Sequence, residues 1–164
     1  MYSWIKKWSD DHRHSFLERV SFVSTSIEEI HSFVYEKMNV ILNPVVSERI
    51  TKPGFYMNLH RDDYHLDYYK FKKGVRDNSL WVPIYNIEKR PVVTVLWYQS
   101  TQGIDFIGGN LRFHDGYTVK PAKNSAIMFD SNDPHEITLQ TLKYGIPNER
   151  KVIIIKYYKD KLDN

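Results

Sequence analysis

The sequence predicts a mainly β protein, in which a helical N-terminal region packs on an antiparallel double sheet of the sandwich, jelly-roll or barrel kind. Three observations lead there. Aromatic residues make up 15% of the chain, and such residues favour strands. From residue 48 onward apolar residues alternate with a period of two, in one short run after another. Between the runs stand turn signals such as Lys73-Gly74, Gly108-Gly109, Asp115-Gly116 and Lys123-Asn124, and many short strands with regular punctuation characterise double-sheet folds. At 164 residues the chain has the size of one domain, 1–164, and can bury roughly 70% of the surface its unfolded form exposes.

The elements follow in order. Residues 1–45 read as helical support. Ser26-Ile27-Glu28-Glu29 has the form of a capping box, and Ile27, Ile30, Phe33, Val34, Met38 and Ile41 recur at helical spacing as far as Asn43-Pro44. The β core is expected over 46–160. Its runs are 54–60, 66–71, 80–86, 92–99, 110–115, 117–121, 125–129, 135–140 and 151–158.

Composition excludes several classes of function. With 41% hydrophobic and 26% charged residues, this is a folded chain and not a disordered one. There are no cysteines, which rules out disulfides, thiolate metal sites and cysteine nucleophiles. No apolar run has the length of a signal peptide or a membrane span, so no membrane partner is expected and the cytoplasm is the expected compartment. A net charge of +3 without any Lys/Arg block longer than two residues reads as a solvated surface rather than a nucleic-acid footprint. Nothing speaks to oligomeric state.

The chemistry-bearing stretch is "NLHRDDYHLDYY", residues 58–69, which holds two His-x-Asp pairs, His60/Asp62 and His65/Asp67. In a strand, residues i and i+2 point to one face, roughly 6.5–7 Å apart, so either pair can approach one metal ion. A third donor is available in His135, which follows the polar turn of "FDSNDPHEI" at the start of a strand. Two histidines and one carboxylate suit Fe(II) and leave coordination positions open. Arg150 opens the last strand, and a guanidinium fork binds a carboxylate in bidentate fashion. Thr94, Leu96 and Tyr98 share a strand face, which puts two hydroxyls in reach of the same carboxylate. His60-Arg61-Asp62 also spells the kinase catalytic-loop tripeptide, but there is no Gly-rich loop, no Asp-Phe-Gly, and Asp67 stands where that loop needs an asparagine.

Five stretches, in order, resemble the Fe(II)/2-oxoglutarate-dependent dioxygenases, in particular the prolyl 4-hydroxylase-like branch. They are "GFYMNLHRD", "VVTVLWYQS", "GGNLRFHDG", "VKPAKNSAIMFDSNDPHEI" and "RKVIII", and together they span about residues 48 to 158. The resemblance implies a double-stranded β-helix core of jelly-roll or cupin-like form. It implies Fe(II) held by His60, Asp62 and His135, with 2-oxoglutarate anchored on Arg150 and helped by Tyr98. It favours His60/Asp62 over His65/Asp67, because Gly54 stands six residues before His60 and Leu59 stands six before His65. The activity implied is hydroxylation of a C–H bond with O2, with ascorbate a candidate further cofactor. A peptidyl proline is the favoured substrate; a small molecule, another protein side chain or a nucleobase stays open. A non-catalytic jelly-roll module that binds a metal or ligand is the alternative.

The chain also departs from the family pattern. Residues 63–86 are an insertion, Gln99-Ser100 replaces Leu-Asn, and Val152 stands where a serine is expected after Arg150. The insertion mixes aromatics with cations and is expected to form a hairpin turning near Lys73-Gly74, beside the mouth of the metal site.

Overall fold

The computed structural model describes residues 17–66, 72–73, 81–84 and 89–159. Among them are eleven strands and one helix, in the order β1 (Val20–Val23), α1 (Ile27–Met38), β2 (Asn43–Thr51), β3 (Met57–His60), β4 (Tyr64–Leu66), β5 (Trp81–Pro83), β6 (Val93–Tyr98), β7 (Leu111–Phe113), β8 (Thr118–Val119), β9 (Ser125–Asp130), β10 (His135–Ile137) and β11 (Arg150–Tyr158). A five-stranded sheet runs β1-β9-β6-β11-β2 and a four-stranded sheet runs β3-β10-β7-β8. Every strand pair in them is antiparallel.

Two apolar layers hold this together. One lies between α1 and the five-stranded sheet, and joins Ile30 and Val34 to Val93, Val95, Trp97, Met128, Ile155 and Tyr157. The other lies between the sheets, where Leu96, Tyr98, Ile127, Phe129 and Val152 meet Leu111, Phe113 and Ile137. The central sheet is therefore covered on both faces, which is why all six residues of β6 are buried and its sequence reads as an almost unbroken apolar run. Each fully buried aliphatic side chain contributes about 1.5–3 kcal/mol relative to exposure.

The helical reading of the N-terminal region holds for Ile27–Met38 and needs two corrections. Ser26 caps the helix by accepting from the Glu29 amide at 3.2 Å, while the Glu29 carboxylate takes the Ser24 hydroxyl at 3.1 Å. The helix stops earlier than the apolar stripe suggests. Asn39 turns left-handed at φ 54°, a conformation asparagine tolerates, and Ile41 is left 80% exposed. Before the helix, Val20–Val23 is a strand, paired with β9 from Val20↔Met128 to Val23↔Ser125. Four residues are too few to separate a period of two from one of 3.6, and the pairing that makes them a strand lies a hundred residues away. The first sixteen residues lie outside the described ones, as do most of the predicted hairpin and its turn. Of the insertion, β4 and β5 pair antiparallel from Tyr64↔Pro83 to Leu66↔Trp81. No helix among the described residues is long and apolar enough to cross a membrane.

Candidate metal centre and anion pocket

The four-stranded sheet supplies two histidines in register. His60 ends β3, His135 begins β10, and the two are direct cross-strand partners with ring centroids 4.4 Å apart. Asp62 follows β3 by two residues, and its amide donates to the Ser131 carbonyl at 2.8 Å, which turns the chain inward. The candidate ligand atoms of His60, Asp62 and His135 all lie within 4.8 Å of one another. The three residues are only 6%, 9% and 4% exposed.

The imidazoles are oriented. His60 Nδ1 is 2.7 Å from the Asn58 carbonyl, and His135 Nδ1 is 2.8 Å from the Asp133 carbonyl. A carbonyl can only accept, so both Nδ1 atoms carry hydrogen, and in the neutral ring the lone pair is left on Nε2. Those Nε2 atoms lie 3.5 and 3.3 Å from Asp62 Oδ1. The other carboxylate oxygen, Oδ2, accepts from the Thr94 hydroxyl at 2.5 Å, and Thr94 in turn lies 3.1 Å from Ser131 Oγ. Burial would raise the Asp62 pKa, but the neighbouring histidines, His135 foremost, hold it well below the usual carboxylate range. Burial, reinforced by His135, lowers the His60 pKa. Burial would lower the His135 pKa, but Asp62 holds it raised, so an arriving metal would displace the His135 proton; with both rings neutral, an ionised carboxylate and two Nε2 lone pairs fit a divalent metal such as Fe(II).

A second constellation lies along the same cleft. Even-numbered residues of β11, from Arg150 to Lys156, face a cavity of about 470 Å³ that also reaches His60, Asp62 and His135. Arg150 is 2% exposed and its Nε donates to the Gly109 carbonyl at 2.9 Å. Its Nη2 and the Tyr98 hydroxyl are both buried without a hydrogen-bond partner. Burial pushes the Tyr98 phenol up to about 12, against the pull of Arg150. Burial also draws the Arg150 pKa down. Buried donors left without acceptors are costly, and an anion between them would satisfy both. Thr94, beside Asp62, and Tyr98, beside Arg150, are four residues apart on β6, roughly 13 Å in an extended strand, so the two constellations stand at separate points along the sheet.

No family model and no curated protein matches this sequence. Solved structures do. A viral collagen prolyl hydroxylase from Paramecium bursaria Chlorella virus-1 covers 96% of this chain and 88% of its own, at 17% identity and a TM-score of 0.55. A prolyl-4-hydroxylase from Pseudomonas putida covers 98% and 79%, at 15% identity and 0.51. An oxidoreductase of the 2OG-Fe(II) oxygenase family from Burkholderia pseudomallei covers 79% of this chain, at 14% identity and 0.50. This chain spans about half of that protein, 51%. The chain has the fold of the 2OG-Fe(II) oxygenases. At these identities the likeness is one of architecture, a jelly-roll core of facing antiparallel sheets.

On that oxygenase fold the structure brings His60, Asp62 and His135 together and places Arg150 at the far end of the same cleft, with the Tyr98 ring centroid 5.7 Å from its guanidinium. Thr94 is a correction. It shares the expected face, but its hydroxyl is engaged with Asp62 rather than aimed at Arg150. The reason is register: Thr94 lies opposite Lys156, and it is Tyr98, opposite Val152, that comes near Arg150. His65 lies in β4, but its side chain and Asp67 fall outside the described residues.

Several contributors gave no motif. Asp133 offers its carbonyl to His135 while its carboxylate is gripped by Arg19, whose guanidinium also holds Asp115 and lies 3.9 Å from the Phe113 ring centroid. Gly109 has φ +62°, and a Cβ there would stand 2.7 Å from the Arg150 side chain. The paired glycines read as a hairpin device in sequence. In three dimensions the second one makes room for the guanidinium stem.

Proposed function

We propose that this chain is an Fe(II)- and 2-oxoglutarate-dependent dioxygenase that hydroxylates a substrate C–H bond. One observation carries the reading: the same cleft holds a His-Asp-His cluster with convergent donor atoms and, beyond it, a buried Arg150 whose Nη2 has no hydrogen-bond partner, beside a Tyr98 whose buried hydroxyl has none either. A metal-binding module alone has no use for the second feature. His60, Asp62 and His135 would hold the metal, and Arg150 and Tyr98 would hold the far carboxylate of 2-oxoglutarate. Together with O2, the bound group supplies the oxidising chemistry, in which C–H becomes C–OH as 2-oxoglutarate is decarboxylated to succinate and CO2.

The chain's own residues do the rest. The Asn58 and Asp133 carbonyls keep both rings in one tautomer, so neither imidazole has to reorient when a metal arrives. Thr94 holds Asp62 so that one oxygen faces the cluster. Met57, Leu96, Ile137, Val152 and Ile154 wall the cleft with apolar surface, which limits the water that reaches the reacting centre. Two similar structures are prolyl hydroxylases, so a prolyl residue in a peptide is the first substrate class to try.

The test is succinate release from 2-oxoglutarate by the purified chain, with and without Fe(II), in the absence of any added primary substrate. Slow, Fe(II)-dependent release abolished in His135→Ala supports the reading. A chain that binds the metal but shows neither release nor 2-oxoglutarate binding is a binding module instead.

A further inference from the structure

Lys156 is a cation in the cleft that neither the histidine-aspartate cluster nor the Arg150–Tyr98 pair uses. It lies on the cavity face of β11, six residues beyond Arg150, which is roughly 20 Å along an extended strand. In register it sits opposite Thr94, the residue that holds Asp62. Lys156 is thus level with the candidate metal centre, while Arg150 is at the opposite end. Its charge is felt at Asp62, behind the larger effects of the two histidines. It is half-buried and makes no hydrogen bond or ion pair among the described residues.

The other cations of the cavity are placed differently. Arg61 is fully buried and ion-paired with Asp63. Arg49 lies opposite Val152, near the Arg150 end, exposed and facing the Phe55 ring at 6.0 Å. Charge balance then singles out Lys156. The charges of a dianionic 2-oxoglutarate and of Asp62 are matched by a divalent metal and Arg150. What remains at the metal end is one ammonium without an ion-pair partner among the described residues, in a part of the cleft where apolar Val45, Leu96 and Ile154 stand among polar Ser47, Tyr64 and Thr94. Partly desolvated ammonium groups are costly without a partner. A single ammonium is a compact point charge without a fork, so it matches one negative charge, such as that of a carboxylate.

We propose that Lys156 binds a carboxylate of the primary substrate, close to the C–H bond that is oxidised, so that the substrate class is a carboxylic acid. This rests on the oxygenase reading above, and deepens it.

The test uses the protein loaded with Mn(II), which relaxes nearby protons and does not turn over, and with saturating 2-oxoglutarate. Pivalate is the probe and pivalamide its neutral, near-isosteric control; the tert-butyl proton relaxation of each is measured. In the wild-type protein pivalate should relax at least threefold faster than pivalamide. Lys156→Met should remove that excess, Lys156→Arg should keep most of it, and Arg49→Gln should leave it within twofold. Circular dichroism of each variant establishes that it folds. Equal relaxation of the two probes in the wild type, or an undiminished excess in folded Lys156→Met, overturns the proposal. Failure of the oxygenase reading looks different: the protons of 2-oxoglutarate itself then show no Mn(II)-dependent relaxation by the protein, whatever pivalate does.

Discussion

Thr94→Val separates two roles that the sequence could not distinguish. Valine matches threonine in shape and replaces one hydroxyl by a methyl group, so packing inside the doubly covered β6 is retained. What is lost is the 2.5 Å bond to Asp62 Oδ2, between groups that are 1% and 9% exposed. A hydrogen bond to a charged group is worth about 1.5–3 kcal/mol, and at 1.4 kcal/mol per decade that is roughly 10- to 100-fold in an equilibrium constant. Outer partners of metal ligands lose about the same amount on mutation. Because Ser131 Oγ is only 3.1 Å from Thr94 Oγ1 and can take over part of the role, the lower half of that range is expected. The assay is a Co(II) titration followed by visible absorption, then a 2-oxoglutarate titration at saturating metal. Metal affinity should fall about 10-fold, 2-oxoglutarate affinity should stay within twofold, and Thr94→Ser should recover most of the loss. Unchanged metal binding together with weakened 2-oxoglutarate binding would refute the assignment and return Thr94 to the anion site.

The remaining expectations are complementary. Arg150→Ala should weaken 2-oxoglutarate binding by about 2–5 kcal/mol in calorimetry and leave metal affinity nearly unchanged, since the guanidinium touches none of the three candidate ligands. Gly109→Ala places a methyl group 2.7 Å from the Arg150 stem at φ +62°; unfolding midpoints should show a loss of about 1–2 kcal/mol, with a parallel loss of 2-oxoglutarate affinity. Arg19→Met releases Asp133 and Asp115, and should lower stability by roughly 2 kcal/mol while reducing Co(II) affinity less than Thr94→Val does. Tyr98 predicts an alkaline limb. Its phenol keeps its proton up to about 12, whereas in the unfolded chain it ionises near its ordinary value of 10. The stability tied to that proton is present in full below pH 10 and declines as pH rises from 10 through 12, so denaturant midpoints should fall less steeply over that window in Tyr98→Phe.

Where chemistry needs specific residue types, the sequence was readable. His60, Asp62 and His135 carry donor atoms that few other residues supply, although it is the turn after β3, and not the strand spacing the sequence suggested, that brings Asp62 beside His60. Arg150 was legible for the same reason. Strand positions were readable because β6 and β9 are short apolar runs bounded by turn signals, and because burial alternates along β7 and β10. What escaped were features that exist only by contact. Val20–Val23 is a strand because β9 lies beside it, Arg19 matters because Asp133 lies within its reach, and Thr94 serves Asp62 because of a register that no local pattern encodes. The helix end escaped too: Ile41 continues the apolar stripe, but Asn39 turns the chain first.

β11 is hydrogen-bonded on both sides, to β2 over all nine of its residues and to β6 from Val152 to Tyr157. Its two faces do unrelated work. Ile155 and Tyr157 belong to the layer under the helix, whereas Arg150, Val152, Ile154 and Lys156 line the cleft. Shifting the strand by one position would exchange the faces wholesale, driving a guanidinium and an ammonium into the greasy layer beneath α1 and plugging the cleft with isoleucine and tyrosine. Misaligned chains are therefore penalised twice, once for stranded charge and once for apolar bulk misplaced. The same residues that would do the chemistry thus act as a checksum on assembly, and a single-residue insertion within 152–155 should be far more damaging than any single substitution there.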